Sequence, residues 1–405
     1  PAEERLPAIN RFWRYGELDP SNNVCFGEGG AGLYSDGKLI TRIKSPHITY
    51  VLNRLVQFGA PAEIEYLANP HVGSDRIRRV IPRLRQFLLT HGCEIRFNTR
   101  VSRLLCSNQG TVEGVEVRAE KFHSRHVILA TGHSAEDVLY RLREIGVACE
   151  GKSFAVGLRI EHPQNIINQI QYREWANHPK LGAANYRLAH HDAKTGIGIY
   201  SFCMCPGGYV LSSGTEQNRI VCNGMSNYRR NSPFANAALV VTLDHPKNFT
   251  KNTFGGMDFR RELEARAWSA VQAAGGGRQL PVQRVSDFWA GRSGRQPLPG
   301  SSPSGTQAVA LHDLLPTWIT QKIREGCEKF DQQMRGFLNE QAQFYGVETR
   351  TSCPLRIRRD KETLQSVSHP GLYPCGEGAG YAGGITSAAC DGIRVAEKIV
   401  EQVIK

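Results

Sequence analysis

Apolar residues recur every three to four positions in several long stretches and alternate or run together in others. The 3.6-residue period predicts amphipathic helices over 3–14, 47–58 (Ile48, Val51, Leu52, Leu55, Val56), 74–90 and 385–404. Ser74 or Asp75 is placed to cap the third of these, and His91-Gly92 to stop it. Further helices are predicted over 258–274, where Gly275 to Gly277 end the pattern, and over 318–326 and 327–334. Strands are predicted over 24–26, 94–97, 99–105, 112–118 and 124–129, then over 154–161, 197–203, 208–213, 219–224 and 238–243, with a return to strand over 347–375. Val127-Ile128-Leu129 is hydrophobic on both faces, as a buried parallel strand would be. The segment 291–306, rich in Gly, Ser, Pro and Arg, reads as an exposed loop.

With 405 residues the chain can bury a large core and divide into two domains. No apolar run of about 18 residues is present, so no membrane span is expected. The eleven cysteines are scattered and odd in number, and only Cys203-Met204-Cys205 are close, which predicts free thiols and a cytoplasmic location. The net charge of +12 is uneven: residues 151–300 hold 18 Lys and Arg against 9 Asp and Glu. That surplus suits an anionic substrate, nicotinamide phosphates or nucleic acid, but it is dispersed as on a solvated face, and no nucleic-acid motif accompanies it.

The chemistry is concentrated in glycine-rich turns. A short apolar strand, 371–375, runs into Gly376-Glu377, a glycine-rich turn, and a helix starting near Ile385. Glycine lets backbone approach a ligand closely, and a helix N-terminus offers unpaired N–H groups and the positive end of a dipole. This layout suits a dinucleotide-like cofactor. The strand ending in Ala130-Thr131-Gly132-His133 could lie beside it, since ligands in open α/β sheets sit outside the carboxyl ends of strands.

Seven segments in order, among them FGEGGAGLYSDGKL (26–39), VILATGHSA (127–135), SFCMCPGGYV (201–210) and GLYPCGEGAGYAGGITSAACDGIRVAE (371–397), make the chain resemble FAD-dependent oxidoreductases of the glutathione-reductase-type two-domain class, within the family of FAD-dependent dehydrogenases. The resemblance implies an α/β fold in which a Rossmann-like FAD/NAD(P)-binding domain (1–153 and 346–405) is interrupted by a β-rich α+β substrate domain (154–345). It implies FAD as cofactor, with NAD(P)H as a candidate electron donor. Gly29, Gly30, Gly32 and Ser35 would lie beside the pyrophosphate and ring, and Val101 near the adenine. Ala130, Thr131 and Gly132 would mark the exit from the domain, and Gly376 and Glu377 would hold the ribityl and phosphate region. Gly383, Gly384 and Ile385 would face the pyrimidine edge of the flavin. The strand, G-x-G-x-x-G turn and helix with which such proteins open have no counterpart ahead of Gly27, so the resemblance implies a missing first βαβ unit.

Candidate catalytic groups are Cys203 and Cys205, as a redox pair or as two small core residues, and His133, as a substrate-side group or a satisfied polar one. Glu348 with Arg350, and Arg159 with Glu161, read as salt bridges or carboxylate clamps. Arg229-Arg230 would meet an anionic substrate or solvent, and His190-His191-Asp192 has poor metal-site geometry, so no metal is expected. The expected activity is hydride transfer between a small-molecule substrate and flavin. The alternatives are a flavoprotein acting on RNA, such as in tRNA modification, and a non-catalytic binding protein with an incomplete cofactor site.

Overall fold

The computed structural model describes residues 1–293 and 295–404. Its centre is a seven-stranded mixed sheet in the order Thr306–Ala308, Leu280–Arg284, Gln343–Glu348, Phe154–Pro163, Phe234–Leu243, Ile197–Cys205, Ala189–Asp192. Neighbours are antiparallel except Leu280–Arg284 with Thr306–Ala308. The two faces of Phe154–Pro163 differ. Val156, Leu158 and Ile160 point into the main core with Leu239, Val241, Leu263, Ile323 and Phe330, supplied partly by the helices Gly255–Ala273 and Thr317–Gln333. Arg159 and Glu161 alternate with them and face the other way, as the period of a strand requires. Both are buried, beneath the hairpin of Gly208–Ser212 and Cys222–Ser226 and the backbone around Ser301.

That hairpin ties the sheet to a second core. Leu211 packs with Ile9, Trp13, Leu33, Tyr34, Leu39, Val72, Ile77 and Val80, and Trp13 Nε1 donates to the Ser212 carbonyl at 2.9 Å. The helices Ala2–Tyr15, His47–Gln57 and Ser74–Thr90 form this layer, close to the predicted spans. A third cluster joins Leu139, Leu142, Met257, Leu355 and Leu372. Outside the large sheet, Val127–Leu129 pairs in parallel with Leu372–Pro374, and Arg103–Cys106, Val112–Val117 and Glu120–His123 form an antiparallel meander.

Several expectations are corrected. Residues 24–26 and 94–97 are not strands, 99–105 shortens to Arg103–Cys106, and 347–375 holds only the tail of Gln343–Glu348, Leu355–Ile357 and Leu372–Pro374. The two helices expected over 318–334 are one, Thr317–Gln333. Neither Ser74 nor Asp75 caps its helix: Ser74 Oγ donates to the Leu33 carbonyl at 2.7 Å, and Asp75 accepts the Tyr228 N–H at 2.7 Å. Ile128 is 47% exposed rather than buried, because this small parallel pair has one open face. The described part of 291–306 is largely exposed, as expected, but Ser304 is buried and Ser301 bonds Glu161.

Candidate functional site

The strands Val127–Leu129 and Leu372–Pro374 run side by side, and the Cys375 N–H extends the pairing by donating to the Leu129 carbonyl at 2.9 Å. Both carboxyl ends therefore emerge together, one as Ala130-Thr131-Gly132 and the other as Gly376-Glu377-Gly378. The two turns touch. A Cβ on Gly378 would fall 2.4 Å from the Gly132 carbonyl oxygen, so only glycine fits there. On their outer side Ala130, Thr131 and Gly132 are exposed, and a Cβ on Gly132 would meet no atom within 4 Å.

The N-terminal glycine loop comes to the same place. Gly29, at φ 79°, opens the tight turn Gly30–Tyr34, and Gly32 packs on Ile385, whose Cγ1 would be 3.4 Å from a Cβ there. Ser35 Oγ holds the loop by donating to the Gly32 carbonyl at 2.9 Å and accepting the Gly37 N–H at 3.0 Å. Thr386 Oγ1 joins loop and helix by donating to the Leu39 carbonyl at 2.7 Å. The helix Ile385–Ile404 begins at Gly383-Gly384, where an added Cβ would again meet nothing within 4 Å. Its first N–H groups have no intrahelical partner and carry the positive end of its dipole. Three glycine-bearing segments thus converge. Val101 lies in coil, 48% exposed, and no hydrogen bond links it to these turns among the described residues.

Asp391, which the sequence did not single out, fixes the C-terminal turn. It accepts the Gly376 N–H at 2.8 Å and pairs with Arg359 at 2.6 and 3.0 Å, all within the protein. An acidic residue inside an apolar helix was the available signal.

The titratable groups are unevenly perturbed. Although 27% of the Glu377 side chain is exposed, loss of solvent pushes its pKa up to about 7, against the pull of Lys152 and with a push from Cys203. His133 Nε2 lies 3.8 Å from Glu377 Oε1. Burial, with Arg260 and Arg350 nearby, drives the His133 pKa down to about 3, so the ring is neutral, and its buried Nδ1 has no hydrogen-bond partner among the described residues.

Cys203 and Cys205 sit at the edge of this arrangement. Lys38 extends from the N-terminal loop, donates to the Met204 carbonyl and pairs with Asp36 at 3.1 Å, and Arg230 grips Asp36 at 2.5 and 3.0 Å. Behind the thiols Arg159 forms a two-point pair with Glu348 at 2.9 and 3.0 Å and donates to Asn236 at 2.9 Å and the Cys203 carbonyl at 3.3 Å. A hydrogen bond from Cys205, and then Lys38 and Arg159, bring the Cys203 pKa down to about 5 despite burial, and the Cys205 thiol moves up.

The remaining candidates resolve into structural pairs. Arg350 pairs with Glu264 at 2.8 Å rather than with Glu348, and Glu161 accepts from Tyr345 Oη at 2.6 Å and from Ser301 rather than meeting Arg159. Arg230 is spent on Asp36. Asp192 binds Lys322 at 2.7 Å.

A family model described as "FAD-dependent protein, C-terminal domain-like" matches residues 153–351, the span that supplies every strand of the seven-stranded sheet. An uncharacterized protein of Clostridium beijerinckii is 42% identical over 404 residues, which is 99% of this chain and 74% of that protein. The chain belongs to that protein's family. Among solved structures it is similar to an oxidoreductase from Methanosarcina mazei (11% identity, 90% of this chain and 64% of that one, TM-score 0.32). It is also similar to CtdE in complex with FAD (11%, 86% and 68%, TM-score 0.30) and to a flavocytochrome c3 fumarate reductase in its open conformation (12%, 86% and 60%, TM-score 0.31). Likeness at those scores carries no argument about this chain.

Chemically, the converged turns can present backbone N–H groups to an anionic or electron-rich planar group. Beside them stand a carboxyl that holds its proton near neutrality, a neutral imidazole and a thiol that ionises readily.

Proposed function

We propose that the protein is an FAD-dependent oxidoreductase acting on a small molecule. The observation that carries this is the meeting of the loop from Gly29 to Ser35, the turn Ala130-Thr131-Gly132 and the run from Gly376 to Ile385 around open space. The fit is supported by the bare backbone at Gly132, Gly383 and Gly384, where no protein atom would oppose a Cβ within 4 Å. Gly29, Gly30, Gly32 and Ser35 would line the pyrophosphate and ring, Gly376 and Glu377 the ribityl region, and Gly383, Gly384 and Ile385 the pyrimidine edge. Val101 would serve the adenine. When bound, the flavin would supply the hydride-accepting centre at N5.

The chain's own contribution is orientation and electrostatics. The N-terminus of the helix Ile385–Ile404 favours negative charge at the pyrimidine edge. Glu377 retains a proton near neutral pH, and His133, 3.8 Å away, stays neutral beside it. In this reading residues 1–153 and 346–405 bind cofactor and 154–345 present substrate, with a nicotinamide as candidate electron donor.

The test is the visible spectrum of the purified full-length protein before and after addition of FAD and desalting. Retained flavin absorbance, lost in Gly384→Val, is the expected result, followed by bleaching assays with NADH and NADPH. A colourless protein that takes up no FAD overturns the proposal.

A further inference from the structure

The proposed flavin reaction makes no use of the dithiol, yet its geometry is unusual. Opposite Asn236 and Ala238 the strand Ile197–Cys205 places Cys205 and Phe202, so two residues, Cys203 and Met204, face Ala237 alone. This is a β-bulge, and Cys203 occupies it at φ 45°, a left-handed conformation that a residue with a Cβ seldom adopts. In a regular strand the two cysteines would stand apart on one face. Here Cys205 Sγ turns back along the chain and donates to the Cys203 carbonyl oxygen at 3.3 Å. Gly224 leaves the room for this: a Cβ on it would be 2.9 Å from Cys205 Sγ. Bulges recur next to functional sites, where they re-aim side chains.

The two thiols are also unequal. Cys203 is partly exposed and Cys205 is fully buried. Cations approach from two sides, Lys38 on the Met204 carbonyl between the cysteines and Arg159 on the Cys203 carbonyl. The neighbouring Cys222 is not drawn into the pair, since its Sγ points to Glu348 at 3.8 Å. A partly exposed cysteine in a cationic setting, with a fully buried cysteine two residues on, is the arrangement of an attacking and a resolving cysteine.

We propose that Cys203 and Cys205 form a reversible dithiol–disulfide pair that exchanges with small anionic disulfides, with Cys203 attacking and Cys205 resolving. The Cys203 thiolate attacks one sulfur of the incoming disulfide, forming a mixed disulfide and expelling one thiolate. Cys205 gives its proton to that thiolate and attacks Cys203 Sγ, closing the Cys203–Cys205 bond and expelling the second thiolate. The second thiolate takes from solvent the proton that Cys203 released on ionising, so one small disulfide is reduced to two thiols as one protein dithiol is oxidised, and excess thiol reverses both steps. Lys38, 32% exposed, is the nearest cation on the glycine-loop side, although Asp36 offsets part of its charge.

The experiment uses the full chain, oxidised glutathione as probe, acid quenching, alkylation and peptide mass mapping, so its readout is independent of flavin. The expected result is loss of both alkylatable thiols from the peptide carrying Cys203 and Cys205, without a retained adduct, and recovery with reduced glutathione. In Cys205→Ser a glutathione adduct should persist on Cys203, and in Cys203→Ser position 205 should stay unmodified. The proposal is overturned if the wild-type peptide keeps both thiols alkylatable while exposed Cys93 and Cys106 react, or if wild-type Cys203 retains a stable adduct. The wild-type map decides between these even if a variant fails to fold.

Discussion

Replacing Glu377 by Gln should raise stability at alkaline pH and leave it unchanged in acid. The carboxyl has an ordinary pKa of 4.5 and a folded-state value of about 7, because the surrounding turns take solvent from it. Below pH 4.5 it is protonated whether the chain is folded or not, and it adds no pH dependence. Between 4.5 and about 7 the folded state keeps a proton that the unfolded state has lost, so stability falls as pH rises. Above about 7 the penalty is constant. At about 1.4 kcal/mol per pH unit it reaches a ceiling of about 3 kcal/mol. The exposed 27% of the side chain lets water screen part of it, so we expect between about 1 and 3 kcal/mol. Cys203 works in the opposite sense, since a pKa lowered from 9.0 to about 5 adds stability as pH rises through that interval. The slope of the wild-type protein alone is therefore ambiguous, and the difference between wild type and Glu377→Gln isolates the carboxyl. Urea denaturation without added FAD from pH 4 to pH 8.5 measures it. Denaturation midpoints that run parallel across the whole range would refute the buried-carboxyl argument.

Two further substitutions test how the turns are held. Gly378→Ala should lower stability by about 1–3 kcal/mol, because the new Cβ meets Gly132 backbone at 2.4 Å, whereas Gly383→Ala, facing open space at an ordinary φ, should leave the melting temperature of the flavin-free protein unchanged; equal melting temperatures for the two variants would contradict the packing described. Asp391→Ala should cost about 3–5 kcal/mol by leaving Arg359 buried without its carboxylate and Gly376 without its acceptor, and Asp391→Asn should cost less in the same denaturation assay because it keeps an acceptor for the Gly376 N–H.

The sequence was legible where local pattern and packing agree. The helices Ala2–Tyr15, His47–Gln57, Ser74–Thr90, Gly255–Ala273 and Ile385–Ile404 follow their apolar period closely, since each lays one stripe on a core. Residues 24–26 looked like a strand because three apolar or small residues fit that pattern. Their backbone is used otherwise: the buried Arg5 guanidinium takes the Asn23 and Val24 carbonyls at 2.8 and 2.9 Å, and Asn23 Oδ1 accepts the N–H groups of Cys25 and Phe26. Two helices were expected over 318–334, but Gly326 lies inside a single one and serves packing, as a Cβ would fall 2.6 Å from Ile199 Cγ2. Glu348 and Arg350 suggested one pair, yet each found a partner far along the chain, Arg159 and Glu264. Spacing shows which face a charge occupies, while its partner depends on strand order that no local pattern encodes.

The same strand order explains why the candidate chemistry lies where it does. The sheet gives one face to an apolar core and turns Arg159, Glu161 and Asn236 to the other. A buried polar row is costly unless its groups are hydrogen-bonded, and here the charges of Arg159 and Glu161 are met by Glu348, Asn236, Tyr345 and Ser301. Arg159 binds the Cys203 carbonyl, and Lys38 from the glycine loop binds the next carbonyl, that of Met204. The bulge that presents the thiols is therefore held from the sheet on one side and from the glycine loop on the other. Two elements far apart in sequence fix one short segment, and a shift in either would move the thiols relative to the turns that meet at Gly32 and Ile385.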